Sequence, residues 1–370
     1  MNEPSTFVGL DAHKSTIVVA MLLPGHREPV EWRIANELAA VRRLGKKLQR
    51  EGLGHVRCCY EAGPCGYALQ RQLREQGIDC QVIAPSLIPI RPGSHIKTDR
   101  RDARKLAEML RAGILTEVHP PTEDEEAVRD LVRCRDDAQR DFTRARNRLT
   151  KFLLRRGLVC RSTLRPGSQQ YESWLAGLSF ERQADQWVFE DYCLAVDQQR
   201  SRRENLDARL IEIAEQEPYR VPVGALRCFR GIDTITALAL VAELHDPRRF
   251  PSARHLMAYL GLVPSESSSG ERRRQGGITR SGNRFLRRLL IEAAWHYRHK
   301  PKIGVRLRAR RVGQPATVIA LADRAQRRLC ARSRRMAAHG KRPCIVAVAT
   351  ARELTGFLWP VLQSWVPARA

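Results

Sequence analysis

Apolar positions in the first third of the chain predict strands followed by alternating helices and strands. Two strands, over 6–11 and 15–23, flank a tight turn, and apolar residues recur three or four positions apart over 36–50, as in a helix. The remaining predicted elements are a short strand near 31–34, strands over 55–61 and 79–84, and helices over 67–75 and 99–111. This order is typical of an α/β domain with a mixed sheet.

The middle of the chain carries a long amphipathic pattern. Thr122 with Glu125 forms a capping box, and apolar residues three and four apart then continue, interrupted only by Arg135. This pattern predicts one helix that ends at Arg156, and a second long helix is predicted over 183–216. The two helices could pair as an antiparallel hairpin or form a dimerising coiled coil, and the pattern favours neither.

The last third of the chain has shorter patterns. Short helices are predicted over 227–260, an irregular segment over 264–282, a basic amphipathic helix over 283–297, and one or two helices over 301–370. The run from Gly231 to Thr234 resembles a helix-hairpin-helix turn, but Asp233 would repel a phosphate, which favours a packing turn. Four domains are predicted: the α/β domain over 1–120, a helical arm over 121–218, a third domain over 219–330, and a helical tail over 331–370.

The charge of the chain predicts a nucleic-acid partner. Lys and Arg number 65 against 40 Asp and Glu, which gives a net charge of +25. Such an excess attracts polyanions and makes the folded chain repel itself. The alternative is a ribosome-associated or simply soluble basic protein.

Cysteine spacing and hydropathy argue against a zinc-binding, secreted or membrane-spanning protein. The ten cysteines have no spacing typical of zinc sites, and their scatter favours reduced thiols. The sequence shows no signal peptide pattern and no uninterrupted apolar stretch of about 18 residues. We therefore expect a cytoplasmic protein that makes no membrane contact and associates with the nucleoid when it binds DNA.

Four acidic residues stand where a metal site can form. Asp11 ends the first predicted strand, Glu61 ends the strand over 55–61, and Asp99 and Asp102 share one face of a predicted helix. Clustered carboxylates repel and raise each other's pKa, and divalent cations remove that penalty. Oxygen ligands suit Mg²⁺ or Mn²⁺, and two such ions can clamp the attacking and leaving oxygens of a phosphodiester.

Each of these acids also has a purely structural interpretation. Asp11 could cap a turn, and Glu61 could be a solvated strand end. Asp99 could be the N-cap of its helix, and Asp102 could pair with a neighbouring cation, Arg101 or Lys105. The joint order of two strand ends followed by a helical pair is more specific than any one residue.

A serine- and arginine-rich segment over 264–288 reads PSESSSGERRRQGGITRSGNRFLRR. Its glycines let the backbone approach a phosphate, and Ser281 or Asn283 can cap the following helix. Arginine at this density is typical of DNA backbone contact. The candidates are Arg272, Arg273, Arg274, Arg280, Arg284, Arg287 and Arg288. Candidate nucleophiles are Ser265, Ser267, Ser268 and Ser269, and chemistry alone prefers none of them to a flexible loop.

These motifs resemble the insertion-sequence-110 family of transposases, which is related to the Piv and MooV DNA invertases. GLDAHK with Asp11, YEAGP with Glu61, and KTDRRDA with Asp99 and Asp102 look like the DEDD tetrad of that family. RNRLTKFLLRRGL resembles its coiled-coil arm, and GGITRSGNRFLRRLLIEAAW resembles its second conserved domain. The resemblance implies an RNase H-like (RuvC-like) α/β domain, a long helical arm and a mainly helical C-terminal transposase domain.

The resemblance also implies a mechanism. In the family, a serine that precedes a glycine in the second domain attacks DNA and becomes joined to a phosphate, which selects Ser269, with Ser268 as the alternative. The tetrad would hold Mg²⁺ or Mn²⁺, stabilise the charged transition state and activate the hydroxyl. Family members act on double-stranded DNA as homodimers or homotetramers and use a structured guide RNA.

Two other functions stay open at this point. A RuvC-like nuclease would use metal-activated water and would not need Ser269. A non-catalytic nucleic-acid-binding protein would tolerate loss of the acids, although a basic protein of that kind gains nothing from clustering them.

Overall fold

The protein is described by a computed structural model that covers residues 5–89, 98–160, 167–269 and 272–365. The chain forms two compact units, Met1–Pro121 and Thr122–Ala370. The first unit is built on a mixed sheet, and the second is almost entirely helical.

The sheet of the first unit has six strands in the order β3-β2-β1-β4-β5-β6. β1 is antiparallel to β2 and parallel to β4, which in turn is parallel to β5. The strands are β1 (Ser5–Ala12), β2 (Thr16–Leu22), β3 (Val30–Ala35), β4 (His55–Glu61), β5 (Asp79–Ile83) and β6 (Glu117–Val118). The helices are α1 (Leu38–Glu51), α2 (Ala68–Arg74) and α3 (Asp99–Arg111). The predicted mixed α/β order is confirmed; the two-residue β6 was not predicted.

Alternation along the strands sends side chains to two separate cores. Val8 and Leu10 pack with α1 and α2 on one face of the sheet. Phe7 and Cys59 lie on the opposite face with Leu106 of α3. Odd-numbered residues of β1 and β4 therefore face α3, and this is the face to which Asp11 and Glu61 belong.

Gly9 allows α3 to lie directly on β1. A Cβ atom at this position would stand 2.0 Å from the Ala103 carbonyl oxygen and 2.6 Å from the Ala107 nitrogen. Both neighbours are backbone atoms of a helix, so they cannot move aside singly. The glycine thus sets the distance at which the middle of α3 approaches the middle of β1.

We expect Gly9→Ala to lower the free energy of unfolding of the protein by about 2–4 kcal/mol, because the added methyl overlaps the α3 backbone. Chemical denaturation of the purified chain measures this. Gly63→Ala is the matched control, since the nearest atom to its added Cβ is 3.8 Å away. Equal stability of the two variants would contradict the close approach.

The long helices of the second unit form an antiparallel hairpin within one chain. α4 (Glu123–Arg155) begins at the predicted capping box, in which the Glu125 backbone N–H donates to the Thr122 hydroxyl at 3.2 Å. α6 (Gln183–Ala214) runs back along it. Ion pairs that advance along α4 retreat along α6: Arg135–Asp207 at 2.6 Å, Asp141–Arg202 at 3.1 Å, and Arg156–Asp185. The antiparallel hairpin, one of the two predicted arrangements, is thus present within the chain.

The rest of the second unit packs around α8 (Thr234–Leu244), which is buried along most of its length. Asp233 caps this helix by accepting from the Thr236 N–H at 2.8 Å, which confirms the packing turn. The other helices are α5 (Gln169–Ala176), α7 (Arg220–Leu226), α9 (Ala253–Tyr259), α10 (Arg284–Ala294), α11 (Val305–Arg311), α12 (Ala316–Ala338) and α13 (Pro343–Gln363). α5 was not predicted, and the described part of the tail after residue 301 has three helices rather than one or two.

The segment that was predicted to be irregular has regular secondary structure. The segment 264–282 is not irregular: β7 (Pro264–Ser269) and β8 (Arg272–Ile278) form an antiparallel hairpin.

α13 is long and apolar enough to cross a membrane by length and composition, although half of its most apolar stretch is buried in the protein. In the described part of the chain all ten cysteines are free thiols, as their spacing predicted.

Candidate functional site

Asp11 lies at the end of β1, where the chain turns sharply into β2. The His13 N–H donates to the Thr16 carbonyl at 2.8 Å, and the Asn36 side chain donates to the His13 carbonyl at 2.7 Å. These bonds fix the turn, so the imidazole of His13 folds back toward the strand end. Its Nε2 lies 3.1 Å from Oδ2 of Asp11.

The first turn of α3 brings two further acids to this edge of the sheet. Thr98 is the N-cap, since its hydroxyl accepts from the Arg101 N–H at 3.4 Å. Asp99 is therefore the first helical residue rather than the cap. Its Oδ1 lies 3.6 Å from His13 Nε2, and its Oδ2 lies 3.5 Å from a guanidinium nitrogen of Arg33.

Asp11, His13 and Asp99 form the tightest group of metal-binding atoms. One side-chain ligand atom from each lies within 4.8 Å of the others. Among the described residues, Glu61 and Asp102 do not join this group at that distance. The structure thus brings together two of the four predicted acids and adds a histidine that the motif analysis had not selected. Its position two residues after Asp11, at the predicted tight turn, was the signal available in the sequence.

The electrostatics of Asp11 connect it to both acids of α3. Burial raises the pKa of the Asp11 carboxyl, and the charges of Asp99 and Asp102 raise it further, while His13 acts to lower it. The side chain of Asp11 is only 19% exposed. A divalent cation would relieve both the burial of this charge and its repulsion from its neighbours.

Glu61 ends β4 beside Asp11. The parallel pairing of the two strands runs to Leu10 and Tyr60, and each acid follows one of these residues. Alternation places Glu61 on the face of the sheet that α3 covers, and its side chain is exposed. Glu61 is therefore at the same edge as the Asp11 group but open to solvent.

The four candidate serines lie on β7, the first strand of the β7–β8 hairpin. Ser269 is the last residue of β7, is exposed and pairs with Arg272, while Ser268 pairs with Arg273. The Ser268 hydroxyl donates to Oε1 of Glu266 at 3.0 Å. Within the described residues Ser269 Oγ has no hydrogen-bond partner. Gly270, which follows it, lies outside the described residues.

The predicted DNA-contacting arginines divide into exposed and structural groups. Arg274, Arg280 and Arg284 are exposed, whereas the side chains of Arg272 and Arg273 lie outside the described part of the chain. Arg287 is buried, and its guanidinium donates to the carbonyls of Leu260 at 2.9 Å and Ser281 at 2.7 Å. It therefore braces the loop before α10, and we leave it out of the contact surface.

Arg288 also bonds within the protein. Its guanidinium pairs with the buried carboxylate of Asp136 on α4 and donates to Glu292 at 2.9 Å. It therefore ties α10 to the helical arm. The Asn283 side chain caps α10 by accepting from the Leu286 N–H at 3.0 Å, which confirms one of the two predicted caps.

Comparison with known proteins connects both regions to one family. A DEDD transposase model of the IS110 group matches residues 8–156, and the model described as Transposase IS116/IS110/IS902 family matches residues 224–306. The chain is 40% identical over 359 residues to a putative transposase of Sinorhizobium fredii, covering 96% of this chain and 88% of the relative. It is 38% identical over 326 residues to the transposase for insertion sequence element IS1533 of Leptospira borgpetersenii, covering 87% and 94%.

The chain belongs to the IS110 family of transposases. The first model covers the strand end with Asp11, the strand end with Glu61, and the first turn of α3. The second covers α8 and the whole serine hairpin. The two ranges matched in this IS110-family transposase thus include both the acidic edge of the sheet and the serine-bearing hairpin.

Proposed function

We propose that this transposase cuts and rejoins double-stranded DNA through a serine hydroxyl, with its acidic edge binding divalent metal. The observation that carries the proposal is the convergence of Asp11, His13 and Asp99 within 4.8 Å at the end of β1. Family membership supplies the reaction class, since a transposase moves DNA by breaking and joining phosphodiesters.

The donor set at this edge fits a divalent cation. The carboxylates of Asp11 and Asp99 supply hard oxygens, and the His13 imidazole adds a nitrogen. Asp102 and Glu61 are further acids at the same edge of the sheet. Such a set suits Mn²⁺ and, through the carboxylates, Mg²⁺. A metal held there would stabilise negative charge on the reacting phosphate.

Ser269 is the proposed nucleophile. Its Oγ would form a bond to the phosphorus of a target phosphodiester as the bond from phosphorus to one flanking sugar oxygen breaks. The hydroxyl proton passes to a general base, and the departing sugar oxygen takes up a proton. A free hydroxyl of another strand then attacks the phosphoserine, which restores Ser269 and completes strand exchange. Ser268 is the alternative, because its hydroxyl donates a hydrogen bond to Glu266, which could accept the proton.

The partners follow from the same reasoning. Arg274 lies on β8, Arg280 and Arg284 follow the hairpin, and all three are exposed and suit contact with DNA phosphates. We further propose, from the family resemblance, that a structured guide RNA selects the DNA and that two or four copies assemble on it, so that the acidic edge and the serine of one site can come from different protomers.

A metal-binding experiment tests the acidic edge without requiring activity. Mg²⁺ or Mn²⁺ at about 100 times its dissociation constant is expected to stabilise the protein by about 2.7 kcal/mol, seen as a rise in melting temperature that EDTA reverses. Asp11→Asn is expected to remove this rise while making the metal-free protein more stable, because it removes a buried charge that faces two other carboxylates.

Glu75→Gln is the matched control, since Glu75 is an exposed acid on the same unit and outside the site. It should keep the full response to metal. A melting temperature that ignores both cations, or an undiminished response in Asp11→Asn, would count against the metal site.

A further inference from the structure

The C-terminal helices carry a charge excess that the serine chemistry leaves unused. Residues 298–342 contain fifteen Lys and Arg against one acid, Asp323. Most of this segment lies beyond residue 306, where the second family model ends. Like charge at such density destabilises a fold unless counter-charge is supplied. The distribution of these cations on the surface indicates what supplies it.

One face of α12 forms an arginine stripe, defined by Arg324, Arg327, Arg334 and Arg335. At 100° per residue the four positions fall within about a third of the helix circumference and extend over about 17 Å. The opposite face is buried, with Ala322, Leu329 and Ser333 in the core. The four arginines are exposed, and none has an ion-pair partner within the described residues.

Their neighbours on the same helix behave differently. Arg328 and Arg332 both pair with Glu353 on α13, at contacts that tie the two helices together. The helix therefore uses two arginines for packing and leaves the stripe uncompensated.

A basic pocket of about 830 Å³ lies beside α11. Its cations are Arg230, Lys302, Arg306 and Arg310, and Asp233 is the single acid in its lining. Two of the arginines are held in place by backbone carbonyls. Arg230 donates to Lys300 at 2.9 Å, and Arg310 donates to Ile232. Each keeps further N–H groups for a ligand, so the pocket is prearranged for an anion.

Burial and the excess positive charge of the pocket lower the pKa of ionisable groups within it. Burial lowers the pKa of the His296 imidazole, and Arg230 and other neighbouring cations lower it further. Burial likewise lowers the pKa of the Arg310 guanidinium, with Arg227 and Arg311 adding to the effect. A bound phosphate would relieve this repulsion.

The pocket and the stripe adjoin each other at Arg230. Its guanidinium lies 4.0 Å from the sulfur of Cys330 on α12, and Arg334 is one helical turn further along. Burial raises the pKa of the Cys330 thiol, whereas Arg230 and Arg334 both act to lower it, as expected when both lie near it. Arg230 of the pocket and Arg334 of the stripe thus both lie near Cys330, so the two sets of cations neighbour each other.

We propose that the basic pocket and the arginine stripe together bind the phosphate backbone of double-stranded DNA, as a contact separate from the serine hairpin. The stripe extends over about 17 Å, which equals the length of about five phosphates along one strand of a duplex, and membership of a transposase family makes duplex DNA the polyanion concerned. Backbone contact of this kind is independent of base sequence and strongly salt-dependent. The proposal rests on the charge distribution and holds whether or not Ser269 is the nucleophile.

The test compares full-length protein with a variant that carries Arg324→Gln, Arg327→Gln, Arg334→Gln and Arg335→Gln. Fluorescence anisotropy with a labelled duplex DNA of arbitrary sequence gives affinity as a function of salt. Each lost phosphate contact reduces the slope of log affinity against log salt by about 0.9, so we expect a reduction of about 3–4. Affinity at about 0.1 M salt should fall at least about 10²-fold. Since all four side chains are exposed, the melting temperature should stay within a few degrees of wild type.

A charge-matched control separates this surface from net charge. Arg27→Gln, Arg42→Gln, Arg43→Gln and Lys46→Gln remove the same charge from exposed positions of the first unit. An equal loss of DNA affinity in both variants would overturn the proposal, as would a stripe variant that loses a structured RNA hairpin but keeps duplex DNA. Ser269→Ala, measured in the same assay, should bind DNA like wild type, so failure of the serine mechanism would be seen separately.

Discussion

Asp11→Asn is expected to reduce strand exchange between two marked DNA duplexes by about 10³-fold or more, with DNA affinity unchanged. The reason is local: the side chain of Asp11 is largely enclosed, and its charge interacts with His13, Asp99 and Asp102 together. Loss of this carboxylate removes several kcal/mol of stabilisation from a transition state that gathers negative charge on phosphate. Gel separation of exchanged products measures the rate, and anisotropy measures the affinity.

The substitution preserves shape, so the effect can be assigned to charge. Glu75→Gln removes an acid from the same unit and should leave the rate unchanged. Glu61→Gln and Asp102→Asn are expected to weaken exchange as well, because both acids lie at the same edge of the sheet. A fully active Asp11→Asn protein would mean that the acidic edge serves the fold alone and that the chemistry occurs elsewhere.

The α/β unit could be predicted from sequence because burial imposes clear periodicity on its strands and helices. β4 and α3 have the predicted bounds, His55–Glu61 and Asp99–Arg111, since apolar residues recur at the period of each element. The periodicity of apolar residues does not show how one element packs on another. Gly9 in the middle of β1 indicated a close approach, but only the structure identifies the approaching backbone as α3.

The serine hairpin escaped prediction for the opposite reason. All but the first residue of β7 are exposed, so neither face of the hairpin carries an apolar pattern. Backbone pairing, such as Ser268 with Arg273, holds the strands together, and backbone pairing leaves no trace in a sequence rich in Ser, Gly and Arg. A two-stranded ribbon is also marginal by itself and depends on the helices from which it projects.

The candidate site shows the same limit. The acids were recognisable from strand ends and from spacing on a helix, whereas His13 reaches Asp11 only because the turn folds it back. Arg287 was selected as a DNA contact from local density of arginine, yet it is buried against two backbone carbonyls. Density of one residue type predicts the character of a surface better than it predicts the role of each member.

Ser269→Ala is expected to abolish a covalent protein–DNA adduct and to lower strand exchange by at least about 10⁴-fold, because it removes the hydroxyl proposed to form the bond to phosphorus. Ser269 ends β7 with an exposed hydroxyl, so the substitution should change neither the hairpin nor DNA affinity. Denaturing electrophoresis of protein incubated with labelled DNA detects the adduct, and digestion followed by mass spectrometry locates the modified serine.

Ser268→Ala is the informative companion, since its hydroxyl differs by one strand position and donates to Glu266 at 3.0 Å. If Ser269 is the nucleophile, Ser268→Ala keeps the adduct and loses only the bond to Glu266, with at most a modest fall in rate. The reverse pattern would transfer the role to Ser268, with Glu266 as its proton acceptor. Cleaved DNA without any adduct, in wild type and in both variants, would instead mean that water attacks the phosphate. The protein would then act as a metal-dependent nuclease in which the acidic edge alone supports the chemistry.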